Sequence, residues 1–120
     1  MALRSKTIQN GTIAIIELKG SLVGDRDTDA LREAVADFIE QGNKQLILDL
    51  SRINYMNSSG IGSVIGAHAS YSKNNGQVRL VGLGKSVQNL FVITKLIDVF
   101  EVFDSIDEAV RSFVTTKSTK

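Results

Sequence analysis

The stretch from residue 46 to residue 65, LILDLSRINYMNSSGIGSVI, constrains the fold of this chain more than any other. Its first residues form a short apolar run that is typical of a central β-strand. The polar turn Asn57-Ser58-Ser59-Gly60 follows, and a helix with spaced glycines begins directly behind it. A strand-to-helix junction lies at the edge of a sheet, where free backbone N–H groups and the helix dipole favour an anion. The hydroxyls at this junction are therefore the first candidates for a functional site.

Strand and helix patterns alternate along the rest of the chain. Asn10-Gly11 lies between two extended segments, residues 6–9 and 12–18, and predicts a β-hairpin. The second segment is apolar on both faces, so we expect it to be covered on both sides. Short apolar runs predict further strands at residues 45–50, 77–81 and 99–103, the last at an edge of the sheet.

Apolar residues spaced three and four apart predict four helices. The first starts near Leu31 after a polar, turn-rich segment at residues 20–29, with Thr28 or Asp27 as its cap and Gly42 at its end. The others follow Ser59, cover residues 85–97 and start at Ile106. Together the patterns predict an α/β fold: a single domain over residues 1–114, in which a mixed sheet of about four to five strands packs against about four helices. Residues 115–120, TTKSTK, are predicted to form a flexible polar tail.

Composition limits the classes of function. The net charge of +1 offers no electrostatic footprint for nucleic acid or an anionic membrane. No apolar run approaches the ~20 residues that span a bilayer, and the N-terminus lacks the apolar segment of a secretory signal. The chain has one histidine, His68, and no cysteine, which disfavours metal sites and Ser–His nucleophiles. We therefore expect a cytoplasmic, soluble monomer without catalytic residues, metal or cofactor, in which His68 is a partly buried helix residue.

The turn at residues 57–60 has two interpretations. Serine and asparagine are preferred helix N-caps, so capping alone would account for the turn. Alternatively, one hydroxyl accepts a phosphoryl group, which would add about −1.5 to −2 charges where the helix dipole tolerates them. The two glycines, Gly60 and Gly62, either let a partner approach closely or allow the helix to pack tightly on the sheet. The nearby segment Gly82-Leu83-Gly84-Lys85-Ser86 lacks the first glycine of a P-loop and is predicted to be an ordinary strand-to-helix loop.

A family resemblance adds to these observations. The signature is a hydrophobic-Asp-hydrophobic strand end, a short polar link, an aliphatic pair and D-S-[ST]-G-[LIV]-G. The segments that match it here are Leu48-Asp49-Leu50-Ser51, then Ile53 and Tyr55-Met56, then Asn57-Ser58-Ser59-Gly60-Ile61-Gly62. The chain thereby resembles STAS domains, and most closely the bacterial anti-sigma factor antagonists. Residues 17–22, 77–82 and 91–103 extend the resemblance, which covers residues 5–114.

The resemblance implies a partner-switching mechanism. The unphosphorylated antagonist binds a kinase-type anti-sigma factor, which frees the sigma factor; the same partner then uses ATP to phosphorylate the first serine of the motif, and a phosphatase resets the switch. That serine corresponds to Ser58, with Ser59 as the second choice. The partner-binding residues implied by the resemblance are Asn57, Ser58, Ser59, Gly60, Ile61 and Asp25.

Two positions depart from the family pattern. The aspartate of the motif is Asn57, which retains the ability to cap a helix but removes a charge beside the acceptor. The aspartate that follows the early glycine element is Val23, and we hypothesise that Asp25 or Asp27 takes its place. The alternative function is a STAS interaction module without phosphoregulation, in another signalling or transport assembly. A serine-dependent enzyme or a small-ligand carrier has little support, since the chain has no G-x-S-x-G elbow.

Overall fold

The computed structural model describes residues 1–118, with side chains to residue 114. In this part of the chain, five strands and four α-helices alternate after an opening hairpin, and the predicted α/β fold is confirmed. The strands are β1 (Ala2–Ile8), β2 (Ile13–Leu22), β3 (Gln45–Met56), β4 (Gln77–Val81) and β5 (Glu101–Phe103). The helices are α1 (Gly24–Glu40), α2 (Ser58–Lys73), α3 (Lys85–Ile93) and α4 (Ile106–Ser118), with a 3₁₀ turn at Leu96–Asp98. None of the helices within residues 1–118 is both long enough and apolar enough to cross a membrane.

The strands form one mixed sheet in the order β1-β2-β3-β4-β5. The opening hairpin is antiparallel, whereas β2, β3, β4 and β5 run parallel to one another. Because the carboxyl ends of parallel strands meet at one edge of a sheet, the starts of α1, α2 and α3 are collected along that edge. We call it the carboxyl edge.

Two cores lie on the two faces of the sheet. The larger core packs α1, α2 and α3 against one face, where Leu31, Ile61 and Phe91 are buried. The smaller core lies under α4, where Phe113 packs on Ile15 and Ile47. The first residues of β2 are buried on both faces, as the sequence predicts.

The sequence predicts a turn-rich segment at residues 20–29 before α1, and this prediction is wrong. These residues form the end of β2 and the start of α1. Strand β2 continues to Leu22 because it pairs with β3 as far as Met56, and β3 is accordingly longer than predicted. Helix α1 then begins at Gly24, with the extended residue Val23 as its N-cap. Asp27 therefore lies inside the helix, where its Oδ2 accepts the Val23 N–H at 3.2 Å.

Other helix ends follow the sequence more closely. Gly42 has φ +88°, its N–H donates to Ile39, and the Asn43 N–H donates to Phe38, which is the hydrogen-bond pattern of a Schellman motif. The helix predicted at 85–97 ends earlier, at Ile93, because Lys95 adopts φ +63°. The tail predicted at residues 115–120 overlaps the end of α4, and residues 119–120 lie outside the described part of the chain.

Candidate functional site

The loop between β3 and α2 is held by Asn57. This residue is extended, with φ −107° and ψ −170°, and it occupies the N-cap position of α2. Its Oδ1 accepts the Gly60 N–H at 3.0 Å, while its backbone oxygen accepts the Ile61 N–H at 3.0 Å. The amide oxygen thus does what a carboxylate would do at the same position. The departure from aspartate leaves the cap intact, as the sequence predicts.

Ser58 and Ser59 are the first two residues of α2, and both are exposed. Among the described residues, neither hydroxyl makes a hydrogen bond. Capping alone therefore does not explain these serines, because Asn57 already caps the helix. The first turn of α2 carries no acidic side chain, so the positive end of its dipole is not neutralised there. The arrangement presents two free hydroxyls in a positive electrostatic environment.

Gly60 and Ile61 lie beneath this surface. Ile61 is only 7% exposed, and Gly60 is buried. A Cβ atom on Gly60 would lie 2.3 Å from the backbone oxygen of Leu22 and 2.6 Å from Met56 Cγ. Gly60 therefore allows the start of α2 to pack on the end of β2, which supports the packing interpretation. Both residues shape the loop, whereas the surface available to a partner comes from Asn57, Ser58 and Ser59.

Gly62 differs from Gly60. It is exposed, and a Cβ atom at this position would meet nothing within 4 Å. The packing interpretation therefore does not apply to Gly62. One turn after Ser58, the backbone of α2 is open to a neighbouring molecule.

The start of α1 lies beside the start of α2, because Leu22 pairs with Met56 at the ends of their strands. Asp25 is exposed in the first turn of α1 and makes no ion pair within the described residues. Asp27 is held by the Val23 N–H and lies 3.7 Å from the N-terminal ammonium group. Of the two carboxylates proposed to replace the missing aspartate at position 23, only Asp25 is free to face a partner.

Sequence reasoning missed Tyr55 as a surface residue. Its side chain is 56% exposed, two residues before Asn57, although Ile53 and Met56 on the same strand are buried. The cause is an irregularity in the β2–β3 pairing between Gly20 and Ser21, which interrupts the alternation of faces. Tyr55 thereby adds an exposed aromatic ring near the end of β3, and aromatic residues are common anchors of protein interfaces.

The other candidate positions have structural roles. His68 is partly buried, as predicted, and its ring meets Phe100 edge-on at a centroid distance of 5.1 Å. Within the residues described, no three His, Asp or Glu side chains are grouped as a metal site would require. Residues 82–84 join β4 to α3 as the predicted strand-to-helix loop, and Lys85 and Ser86 are the first two residues of α3. Gly82 has φ +71°, and a Cβ atom there would lie 2.5 Å from Ser51 Cβ.

Fold and site together define a class: a small α/β domain that presents hydroxyls on a capped strand-to-helix loop at the carboxyl edge of its sheet. The family model of the STAS domain matches residues 4–109. The chain therefore belongs to the STAS domain family, as the sequence resemblance predicts.

Curated relatives and solved structures agree with this assignment. BtrV of Bordetella bronchiseptica, provisionally named an anti-sigma factor antagonist, is 25% identical over 96% of this chain and 97% of its own length. The anti-sigma-B factor antagonist of Staphylococcus aureus is 26% identical over 60% of this chain and 67% of its own. The anti-sigma factor antagonist SpoIIAA has the same fold in its unphosphorylated form. It matches with TM-score 0.74 and 21% identity, covering 95% of this chain and 98% of that one. The phosphorylated form of SpoIIAA from Bacillus matches with TM-score 0.76 and 21% identity, covering 93% of this chain and 99% of that one.

Proposed function

We propose that this protein is an anti-sigma factor antagonist that binds a kinase-type anti-sigma factor and is released by phosphorylation of Ser58. The observation that carries the proposal is the exposed, unbonded hydroxyl of Ser58 on the first residue of α2, where Asn57 already provides the cap. The names of the relatives and the existence of a phosphorylated form of SpoIIAA support the same function. In this function the protein is a cytoplasmic, monomeric binding module, and a phosphatase returns it to the unphosphorylated form.

The chemistry at Ser58 is a phosphoryl transfer from ATP bound to the partner. The Ser58 Oγ attacks the γ-phosphorus, the bond to the β,γ-bridging oxygen breaks, and ADP leaves. The hydroxyl proton passes to a base of the kinase. The product carries about −1.5 to −2 charges at the first turn of α2, where the helix dipole and free N–H groups stabilise an anion. The fold therefore persists while the charge of the surface changes.

This change of charge accounts for release. A partner surface that fits a neutral hydroxyl would have to desolvate the phosphate without groups that compensate it. The cost is about 3 kcal/mol, which corresponds to a roughly 100-fold loss of affinity. We assign the rest of the partner surface to the partly buried Asn57 and to the exposed residues Ser59, Asp25 and Tyr55 at the carboxyl edge.

The acceptor is tested by intact-mass spectrometry after incubation with ATP and a candidate kinase-type anti-sigma factor. We expect one added phosphate in the unmodified protein and in Ser59→Ala, and none in Ser58→Ala. A phosphate that persists in Ser58→Ala and is lost in Ser59→Ala would move the acceptor to Ser59. Stable binding without any phosphate transfer would favour the alternative, a STAS interaction module without phosphoregulation.

The partner surface is tested by affinity measurements on the same kinase. Ser58→Asp should weaken binding, while Ser58→Ala should retain it, because only the first introduces a negative charge. Asp25→Ala should also weaken binding, with a loss of stability of at most about 1 kcal/mol from the dipole of α1. Asp27→Ala is the matched control, since its carboxylate is already engaged with Val23. Unchanged affinity in Asp25→Ala, and in the Asp25→Ala/Asp27→Ala double variant, would refute the role of these carboxylates.

A further inference from the structure

Among the residues described, helix α4 covers only part of its face of the sheet. Ile15 and Ile47 are buried under it, but two residues further along each strand the same face carries Glu17 and Asp49. The uncovered part is an open groove of about 610 Å³. Its lining is mostly charged and comes from Arg4 and Lys6 on β1, Glu17 and Lys19 on β2, and Asp49 and Arg52 on β3.

The carboxylates of this groove balance only part of its positive charge. Ion pairs within the described residues join Asp27 to the N-terminus, Arg32 to Asp29 and Arg79 to Glu101, and none involves the groove. Arg4 is the direct neighbour of Glu17 in the strand register, yet the two make no ion pair. Four cations and two carboxylates give the groove an excess of two positive charges, in a chain whose net charge is only +1.

Among the residues of the groove, Lys19 and Arg52 say most about the ligand that it could bind. They are directly opposite each other on β2 and β3, and both are exposed. The two cations come from neighbouring parallel strands, so both are available to one ligand that crosses β2 and β3. Protection of a sheet edge against aggregation accounts for cations on the edge strand β1, but not for Lys19 and Arg52, because β2 and β3 are interior strands. An anionic group lying across both strands would meet both cations.

We propose that this groove docks an acidic peptide segment of a partner protein. The carboxylates of such a segment would lie against Lys19 and Arg52 and against the cations of β1. Glu17 and Asp49 lie in the middle of the groove, and Asp49 is held there by the Ser51 N–H at 3.0 Å. These carboxylates disfavour a continuous row of phosphates, as in nucleic acid or an anionic membrane, but tolerate a peptide with neutral residues between its acidic ones. The groove and α1–α3 are on opposite faces of the sheet, so Ser58 remains accessible.

The test uses a fluorescein-labelled peptide of alternating glutamate and serine, titrated with the full chain at low salt and followed by fluorescence anisotropy. We expect saturable binding that salt weakens, and a roughly tenfold loss of affinity in Lys19→Gln/Arg52→Gln. The matched control is Lys73→Gln/Lys95→Gln, which removes the same charge from two exposed lysines outside the groove and should retain binding within about twofold. Equal losses in both double variants would show unspecific charge attraction and overturn the proposal.

A second measurement needs no variant. Amide chemical shifts of the unmodified protein, followed during addition of the unlabelled peptide, should change at residues 17–19 and 49–52. Changes confined to the start of α2 would mean that the peptide binds the helix N-terminus, and would overturn the proposal. Preferential binding of a labelled single-stranded DNA oligonucleotide or of anionic vesicles through Lys19 and Arg52 would overturn it as well. None of these outcomes depends on phosphorylation of Ser58, so the experiment can refute this proposal without refuting the proposed function.

Discussion

Two glycines in the first turns of α2 allow a matched test of how the loop is built. Gly60 and Gly62 are two residues apart in one helix, so alanine brings a similar gain in helix propensity at either position. Their surroundings differ. A Cβ on Gly60 would lie 2.3 Å from the Leu22 oxygen, whereas a Cβ on Gly62 would meet no atom within 4 Å. The difference between the two variants therefore measures the close approach of α2 to β2.

The expected magnitudes follow from these distances. Gly62→Ala should stabilise the domain by roughly 0.5–1 kcal/mol, because alanine loses less backbone entropy in a helix. Gly60→Ala should destabilise it by about 2 kcal/mol, since overpacking costs about 1–3 kcal/mol and only part of this is offset by propensity. The cost of overpacking at Gly60 lies near the upper end of that range because the closest atom is the backbone oxygen of Leu22. Leu22 cannot move away easily, since it is paired with Met56 in the sheet.

Urea unfolding followed by circular dichroism measures the free energy of unfolding of both variants. For a domain of this size, a separation of about 3 kcal/mol corresponds to roughly 12 °C in the thermal midpoint. Equal unfolding midpoints for the two variants would refute the argument that Gly60 is required by packing. If Gly60→Ala is the less stable variant, its kinase affinity should also fall, because displacement of the turn moves Ser58.

Three further predictions concern the stability of the domain. Asn57→Ala should lower the free energy of unfolding by about 1 kcal/mol through loss of the cap, while Asn57→Asp should keep it, as urea unfolding would show; equal losses would contradict the capping role. Asp27→Ala should be less stable than Asp25→Ala, because only Asp27 accepts the Val23 N–H; thermal midpoints that fail to differ would argue against this. Burial raises the pKa of the Tyr71 phenol, which donates to Asn43 Oδ1 at 2.8 Å. Above pH ~10 the unfolded phenol loses its proton while the folded one keeps it, so stability falls as pH rises. The advantage of the unmodified protein over Tyr71→Phe, about 1 kcal/mol at neutral pH, should therefore shrink above pH ~10 in urea titrations, and a constant difference would contradict the assignment.

Most helices and strands could be predicted from the sequence because the residues that specify them lie within short segments of the chain. Apolar spacing identified α2 and α4, and Gly42 marked the end of α1 because a residue with positive φ is needed there. The candidate site was predicted in the same way, since a polar turn between a buried strand and a helix is visible in the sequence alone. Errors arose where tertiary pairing prevails over local preference. The segment at residues 20–29 has a polar composition, yet pairing with β3 extends β2 to Leu22.

The sequence by itself determined the family, the order of elements and the position of the serine turn, because these depend on residue identity and spacing. Only the tertiary structure decided which residues of that turn reach the surface. Asn57 and Ser58 differ in role because one amide oxygen fits the Gly60 N–H, and Gly60 is buried because α2 packs on the end of β2. The exposure of Tyr55 and the adjacency of Lys19 and Arg52 likewise depend on irregularities in the β2–β3 register. These irregularities arise where β2 pairs with β3, two segments far apart in the sequence, so no pattern within either segment reveals them.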